Sequence, residues 1–395
     1  MDNYFSKLVN LFQRRQSGHQ TLDSIKPINF SWSPTTWTPE VQPNPTFSFL
    51  GAKPLSPSEN RDFVCVFPKE FGVSWPTSFP ASHQCKYWEG AEKGCYQLLR
   101  EIKAIKSESA YVVPEWFTAS RNGESVNSKE KILITTAVDC AISMQPNSSS
   151  DRTELLAKIN LLLWTHDDVV DYHPDYAGKT VVDSITTELL RIARSTKLDP
   201  DDKVCASFKI TQTLLDECHG LLRQVLESFA KFNQFTRSER RTEFQNLRDF
   251  LTYRTVDIAG EYCNRLDLSP EDQKPLQRLA DLVMDHITLF NDLVSFDKEK
   301  KAWIVDGAFL LNTVHYLETA LVINSPLAKN LTLHMILDLE EQIGNEVTRL
   351  KKAIGLTQTQ LHYTQALIEC AAGNIFFSLT SIRYGGLSAS GWKDN

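Results

Sequence analysis

The chain has 395 residues, 42% of them hydrophobic and 23% charged, with a formal net charge of -7 and an isoelectric point near 5.8. Those values fit a globular protein able to bury a large core, and they exclude a general nucleic-acid binder. An anionic substrate would need local cations or metals, because the global field does not attract it. Eight cysteines are scattered at 65, 85, 95, 140, 205, 218, 263 and 370, with no C-x-x-C pair and no zinc-ligand spacing. They read as reduced, buried thiols of a cytoplasmic protein. The N-terminal stretch MDNYFSKLVNLFQRRQ is amphipathic but lacks the long apolar core of a secretory signal. No apolar run reaches the length of a membrane span, so no stable membrane insertion is expected.

In chain order, residues 1–20 read as a short amphipathic helix or a loose tail. Residues 27–80 hold ten of the seventeen prolines, interleaved with Trp32, Trp37, Phe47, Phe49 and Trp75. That proline density forbids long helices, while the aromatics argue for packing on a body. Residues 1–85 are therefore expected to form an irregular, Pro-rich extension, as a lid or collar. From Tyr87 onward the hydrophobic period turns helical. It predicts helices over 88–106, 128–143, 151–173, 179–196, 201–233, 238–265, 271–302, 304–322, 327–353 and 357–384. Pro146, Pro174, Pro200 and Pro270 punctuate them, the last two as Asp-Pro and Ser-Pro caps. No strand alternation of any length is evident. The expectation is an all-α bundle of about ten helices over residues 86–395, forming one domain.

Two motifs carry chemistry. The first is Asp167-Asp168-Val169-Val170-Asp171, at the end of an apolar run containing Leu161-Leu162-Leu163-Trp164. Asp167 and Asp171 share one helix face. Carboxylates gathered there repel one another unless a cation intervenes, and a helix C-terminal end is itself unfavourable for them. A divalent metal answers both problems; a solvated acidic helix end is the alternative. The second is Asn291-Asp292-Leu293-Val294-Ser295-Phe296-Asp297-Lys298-Glu299. Asn291, Ser295 and Glu299 stand at i, i+4 and i+8, so an amide, a hydroxyl and a carboxylate line one face. Such oxygen donors suit a hard cation such as Mg²⁺, and Lys298 lies beside them to meet an anion. Two such faces on two helices can jointly hold metal ions whose octahedra a diphosphate completes.

Taken together, the pair resembles the aspartate-rich and N-D-x-x-S-x-x-x-E motifs of class I terpene synthases of the microbial, fungal or bacterial type. The string Gly373 to Tyr384 resembles that family's closing motif, which ends in an Arg-Tyr pair. The segment Phe250 to Gly260 is similar to its diphosphate-sensing segment. The resemblance covers residues 85 to 384 and implies a class I terpenoid synthase-like helical bundle. It implies Asp167, Asp168, Asp171, Asn291, Ser295 and Glu299 as ligands of three Mg²⁺ ions. It implies Arg254, with Arg248 as fallback, as the sensor of diphosphate, Asp257 as linker and Ile258 as effector. Arg254, Lys298, Arg383 and Tyr384 would bind the diphosphate. Trp164, Phe290, Trp303, Phe376 and Phe377 are candidates for an aromatic wall, with Phe377 standing where the family often has Trp. The implied reaction is ionisation and cyclisation of a linear prenyl diphosphate with release of diphosphate. Farnesyl diphosphate is favoured over geranylgeranyl diphosphate on the length of stand-alone relatives. A homodimer is compatible with this reading.

Rival readings are weaker. Asp199-Pro200-Asp201-Asp202 spells D-x-D-D, the acid motif of class II cyclases, but it sits at a helix start where aspartates belong. His166 and His173 flank the acidic motif, yet neutral imidazole prefers softer metals than Mg²⁺, so both read as structural. A chain-elongating prenyltransferase would want a second aspartate-rich motif near residue 291. A non-catalytic prenyl-diphosphate binder would share these ligands without turnover.

Overall fold

The computed structural model describes residues 25–36, 39–52, 61–105, 128–172, 181–199, 201–236, 240–258, 268–353 and 355–386; within these, the side chains of 104–105, 168–172, 181, 217–222, 270 and 353 are left aside. The body is all-α. In order run α1 (Trp88–Ile105), α2 (Ser128–Met144), α3 (Ser150–Tyr172), α4 (Val181–Arg194), α5 (Lys203–Phe208), α6 (Gln212–Phe235) and α7 (Leu247–Asp257). Then come the single turn α8 (Pro270–Gln273), the long α9 (Gln277–Asp306), α10 (Thr313–Leu321), α11 (Ser325–Ala353), α12 (Gln358–Thr380) and the one-turn α13 (Ile382–Gly385).

Breaks occur where the backbone finds alternative partners. The expected helix over 201–233 is two, because Lys209 turns left-handed (φ 53) and Thr211 caps α6 through its hydroxyl. The expected helix over 238–265 is described only over Leu247–Asp257, with Asn246 capping its start; residues 259–267 lie outside the described segments. Helix α9 runs on to Asp306 and stops at Gly307, whose positive φ (71) closes the last turn. Asn312 then caps α10 through its side-chain oxygen. A Thr357/Gln360 capping box starts α12. Ser381 separates α12 from α13, where the hydrophobic period alone suggested one continuous helix.

One departure lies in the Pro-rich segment. Two four-residue strands, β1 (Phe63–Val66) and β2 (Ser82–Cys85), pair antiparallel with Phe63 opposite Cys85. The described parts of segment 25–85 pack on the helices. Phe47, Leu50, Val66, Trp75 and Phe79 are buried in the same core as α9, α11 and α12. Each such side chain contributes on the order of 1.5–3 kcal/mol. Polar contacts fix the register. Glu340 of α11 accepts from Thr77 Oγ1 (2.5 Å) and Ser78 N (2.6 Å), and His83 meets Glu369 of α12 at 3.0 Å.

The core has two parts. One gathers the N-terminal segment with α7 and α9 to α12; the other gathers α1 to α6. Trp164 packs against both, which places the C-terminal end of α3 at their seam. No helix among the described residues is long and apolar enough to cross a membrane.

Candidate active site

A cavity opens at that seam. Its lining includes Leu163, Trp164 and Asp167 from α3 and Phe232 and Thr236 from α6 and its end. Arg254, Asp257 and Ile258 come from α7, Asn291, Ser295, Lys298 and Glu299 from α9, and Arg383 and Tyr384 from α13. Residues more than 200 positions apart are thus brought to one space, as Arg383 and Asp167 show at 3.4 Å.

The α9 face is ordered by groups that are not themselves in the motif. Asn312 Nδ2 donates to the Asp292 carbonyl (2.9 Å), to Ser295 Oγ (3.4 Å) and to Glu299 Oε2 (2.9 Å). A single amide therefore spans two turns of α9 and aligns two of the three proposed ligands. Asn291 Nδ2 donates to Tyr384 Oη at 3.3 Å, which leaves its amide oxygen for a cation. Burial pushes the Glu299 carboxyl up, Arg254 pulls it down, and Asp292 pushes it up again.

Arg254 is the electrostatic centre. Only 7% of it is exposed. Its Nε donates to Asp292 Oδ1 at 2.9 Å, Nη1 pairs with Asp257, and Nη2 lies 3.8 Å from Glu299. Burial alone would favour the neutral guanidine, but Asp292, Asp257 and Glu299 hold the group firmly protonated. Asp292 is fully buried and answers on its other oxygen to Thr313 N (2.7 Å) and Thr313 Oγ1 (2.6 Å). Arg248, the alternative sensor, pairs instead with Asp285 and does not line the cavity. Ile258 caps the C-terminal end of α7 and lines the cavity.

Arg383 lies over the Trp164 ring, 4.9 Å from its centroid, and Nη2 reaches Asp167 Oδ2. Tyr384 is buried, which pushes its phenol up, and its ring meets Phe377 edge-on at 5.9 Å. The Trp164 indole N–H is buried with no hydrogen-bond partner among the described residues.

Most of the expected residues meet here, but not all. Asp168 and Asp171 lie on α3, and their side chains fall outside the described ones. Phe290 and Phe376 are buried core residues outside the lining; Phe290 stacks near His286 on the far side of α9. Phe377 stands behind the lining, between Trp164 and Tyr384. Trp303 is 44% exposed near the end of α9, beside His315, so it cannot wall the cavity. Asn312 and Thr313 escaped the sequence reading, as did Phe232 and Phe309 of the lining, and Asp292 stood in the motif without a role. Asn312 and Thr313 carried only a capping signal, and their pairing with α9 depends on the 307–312 turn. The D-x-D-D string is a cap: Asp202 accepts from Val204 N and Cys205 N. His166 is buried and bonded to Thr236 at 2.9 Å, as a structural histidine.

The donor set fits a hard cation. Every candidate ligand atom is oxygen, and the groups now satisfying them are N–H donors of Asn312, Arg254 and Arg383, where positive charge is wanted. An α-helical bundle with an acidic helix end facing an Asn/Ser/Glu face, closed by an Arg-Tyr turn, is the arrangement of class I terpene synthases, lyase-type enzymes to which the chain is similar. Residues 158–341 match the family model described as terpene synthase family 2, C-terminal metal binding. The chain is 29% identical over 329 residues to terpene cyclase 6 of Gibberella fujikuroi, covering 81% of this chain and 85% of that one. It is 28% identical to terpene cyclase aneC of Aspergillus aculeatus, covering 87% and 78%. Aristolochene synthase from Penicillium roqueforti, a solved structure, superposes with a TM-score of 0.49 at 18% identity, over 72% of this chain and 94% of that one.

Proposed function

We propose that this chain is a Mg²⁺-dependent terpene cyclase that ionises farnesyl diphosphate and cyclises the resulting cation to a sesquiterpene, releasing diphosphate. The observation that carries the reading is the meeting of Asp167 with the Asn291, Ser295 and Glu299 face at one cavity, ringed by Arg254, Lys298 and Arg383. Asn291, Ser295 and Glu299 would hold metal on the α9 side and Asp167, Asp168 and Asp171 on the α3 side. Three bound Mg²⁺ ions would supply Lewis-acid charge that draws off the diphosphate.

The chain's own part is positioning and electrostatics. Arg254, kept charged by its carboxylates, lines the cavity, where a bound anion would compete with Asp257 and Glu299 for its N–H groups. Lys298 and Arg383 add charge from α9 and α13. By the resemblance, the Ile258 carbonyl, just past α7, would help ionise the substrate. Trp164, Phe232 and Phe309 line the cavity and would give a carbocation an aromatic surround. Arg383 and Tyr384 shut the mouth against water, which would quench the cation early. The described cysteines Cys65, Cys85, Cys95, Cys140, Cys205 and Cys370 are buried, in keeping with action in the cytoplasm.

The test is incubation of purified protein with Mg²⁺ and the C10, C15 or C20 diphosphate, with products analysed by mass spectrometry. Cyclic C15 hydrocarbons that vanish on chelation are expected. Cyclic C20 products would move the assignment to a diterpene cyclase. Longer linear diphosphates, formed when a C5 homoallylic diphosphate is added, would mean chain elongation. No product from any substrate would leave a binder and overturn the reading.

A further inference from the structure

The Arg383-Tyr384 turn is held from two sides, and its outer side is held by the N-terminal segment. Helix α12 ends at Thr380, which leaves last-turn carbonyls without helical N–H partners. Trp32, 346 positions away from Ser378, supplies two of the missing donors. Its backbone N–H donates to the Leu379 carbonyl at 3.1 Å, and its indole N–H donates to the Ser378 carbonyl at 2.9 Å. The indole then presses on the next turn. A Cβ at Gly385 would stand 2.1 Å from the indole Cγ and Cδ2, so only glycine fits. The segment is itself anchored: Lys26 N donates to Gln84 Oε1 (2.7 Å), Lys26 Nζ pairs with the partly buried Asp139, and Ile25 and Ile28 pack on the core. On the inner side of the same turn, Arg383 meets Trp164 and Asp167, and Tyr384 meets Asn291. Trp32 is not part of the cavity lining.

We propose that Trp32 is a positioning residue for the cyclisation: segment 25–36 clamps the outer face of residues 381–385 so that Arg383 and Tyr384 stay over the cavity while the cation reacts. This assigns a role to the Pro-rich extension and rests on the terpene cyclase reading above. The clamp acts on the turn, not on the substrate. Loosening it lets the pair swing out, which admits water and weakens the grip on diphosphate.

The test uses the full chain with Trp32→Ala, Trp32→Phe, Gly385→Ala and the double variant Trp32→Ala/Gly385→Ala. Three quantities are read: KM for the prenyl diphosphate, the share of acyclic alcohol among products, and hydrogen exchange of the 382–386 amides without substrate. Trp32→Ala and Gly385→Ala are each expected to raise KM and the acyclic share about threefold or more, and to speed exchange about tenfold. Trp32→Phe keeps a ring but loses the indole donor, and falls between. The double variant is expected to be no worse than the poorer single one, because removing the indole relieves the added methyl. A lowered melting point with unchanged KM, product share and exchange would make the contact merely structural and overturn the proposal. If Trp32→Ala does not fold, Trp32→Phe and Gly385→Ala decide. If the wild type converts no prenyl diphosphate, the functional reading fails, and exchange at 382–386 still judges the clamp: faster in the variants upholds it, unchanged overturns it.

Discussion

Arg254 carries its charge inside the protein because three carboxylates face it, and Asp292 is the best placed of them. Asp292 is not a proposed metal ligand, yet it fixes both the guanidinium and the start of α10 through Thr313. Asp292→Asn keeps the shape and removes the charge, leaving a buried cation short of a partner. The expected result is a loss of about 3–5 kcal/mol in unfolding free energy, with kcat/KM reduced as well, measured by urea unfolding and steady-state kinetics. Asn312 makes a separable prediction. It touches Ser295 and Glu299 but no substrate, so Asn312→Ala should raise the Mg²⁺ concentration for half-maximal turnover by about 10–100-fold. Calorimetry with Mg²⁺ and inorganic diphosphate should show the same weakening; unchanged metal affinity would dismiss the role. The i, i+4, i+8 spacing of Asn291, Ser295 and Glu299 was legible in the sequence, because it is a property of one helix. The amide that aligns them was not, because it arrives across a turn.

At the scale of elements, α12 organises much of the site. It packs against α2 at Gly373, where a Cβ would lie 1.9 Å from the Ser143 carbonyl oxygen. Backbone cannot yield as a side-chain tip does. Gly373→Ala is therefore expected to push the helices apart, costing about 1–3 kcal/mol, seen as a lower melting midpoint with the helical circular dichroism retained. A midpoint equal to wild type would show that the helices separate freely. Helix positions were readable from period and punctuation over α1 to α4, α11 and α12, whereas α10 begins at Thr313 rather than at the expected 304. The misjudged breaks at Lys209 and Ser381 have a common cause: a backbone turn satisfied by local caps leaves the hydrophobic period intact. The two strands were missed because each is only four residues long.

At the scale of the whole molecule, the two core halves carry separate polar anchors, and one of them titrates usefully. Burial alone would raise the Glu154 carboxyl, but Lys158 and Lys209 bring it below the ordinary 4.5. A carboxyl lowered in the folded state stabilises the protein above about 4.5, and that contribution is lost as pH falls through the folded value. Lys158 is fully buried, so Glu154→Gln also strands a cation. The variant should be clearly less stable than wild type at pH 7, with the gap narrowing as pH drops below 4.5. Urea unfolding of both chains across that range checks it, and a gap independent of pH would rule the pairing out as its source.

By itself the sequence determined the helical body, the two oxygen-rich helix faces and their resemblance to a known family, because each of these is written in short-range spacing. Only the tertiary structure decided which residues meet. It put Arg254 and not Arg248 at the cavity, left Phe290, Phe376 and Trp303 outside its lining, and set Asp292, Asn312 and Trp32 against the residues that frame it. The physical reason is the same in each case. A side chain's direction around its helix and a partner hundreds of residues away are fixed by packing, which local spacing does not encode. The Asn291-Ser295-Glu299 face was visible from the start; the amide, carboxylate and indole that make it part of a closed site became visible only in three dimensions.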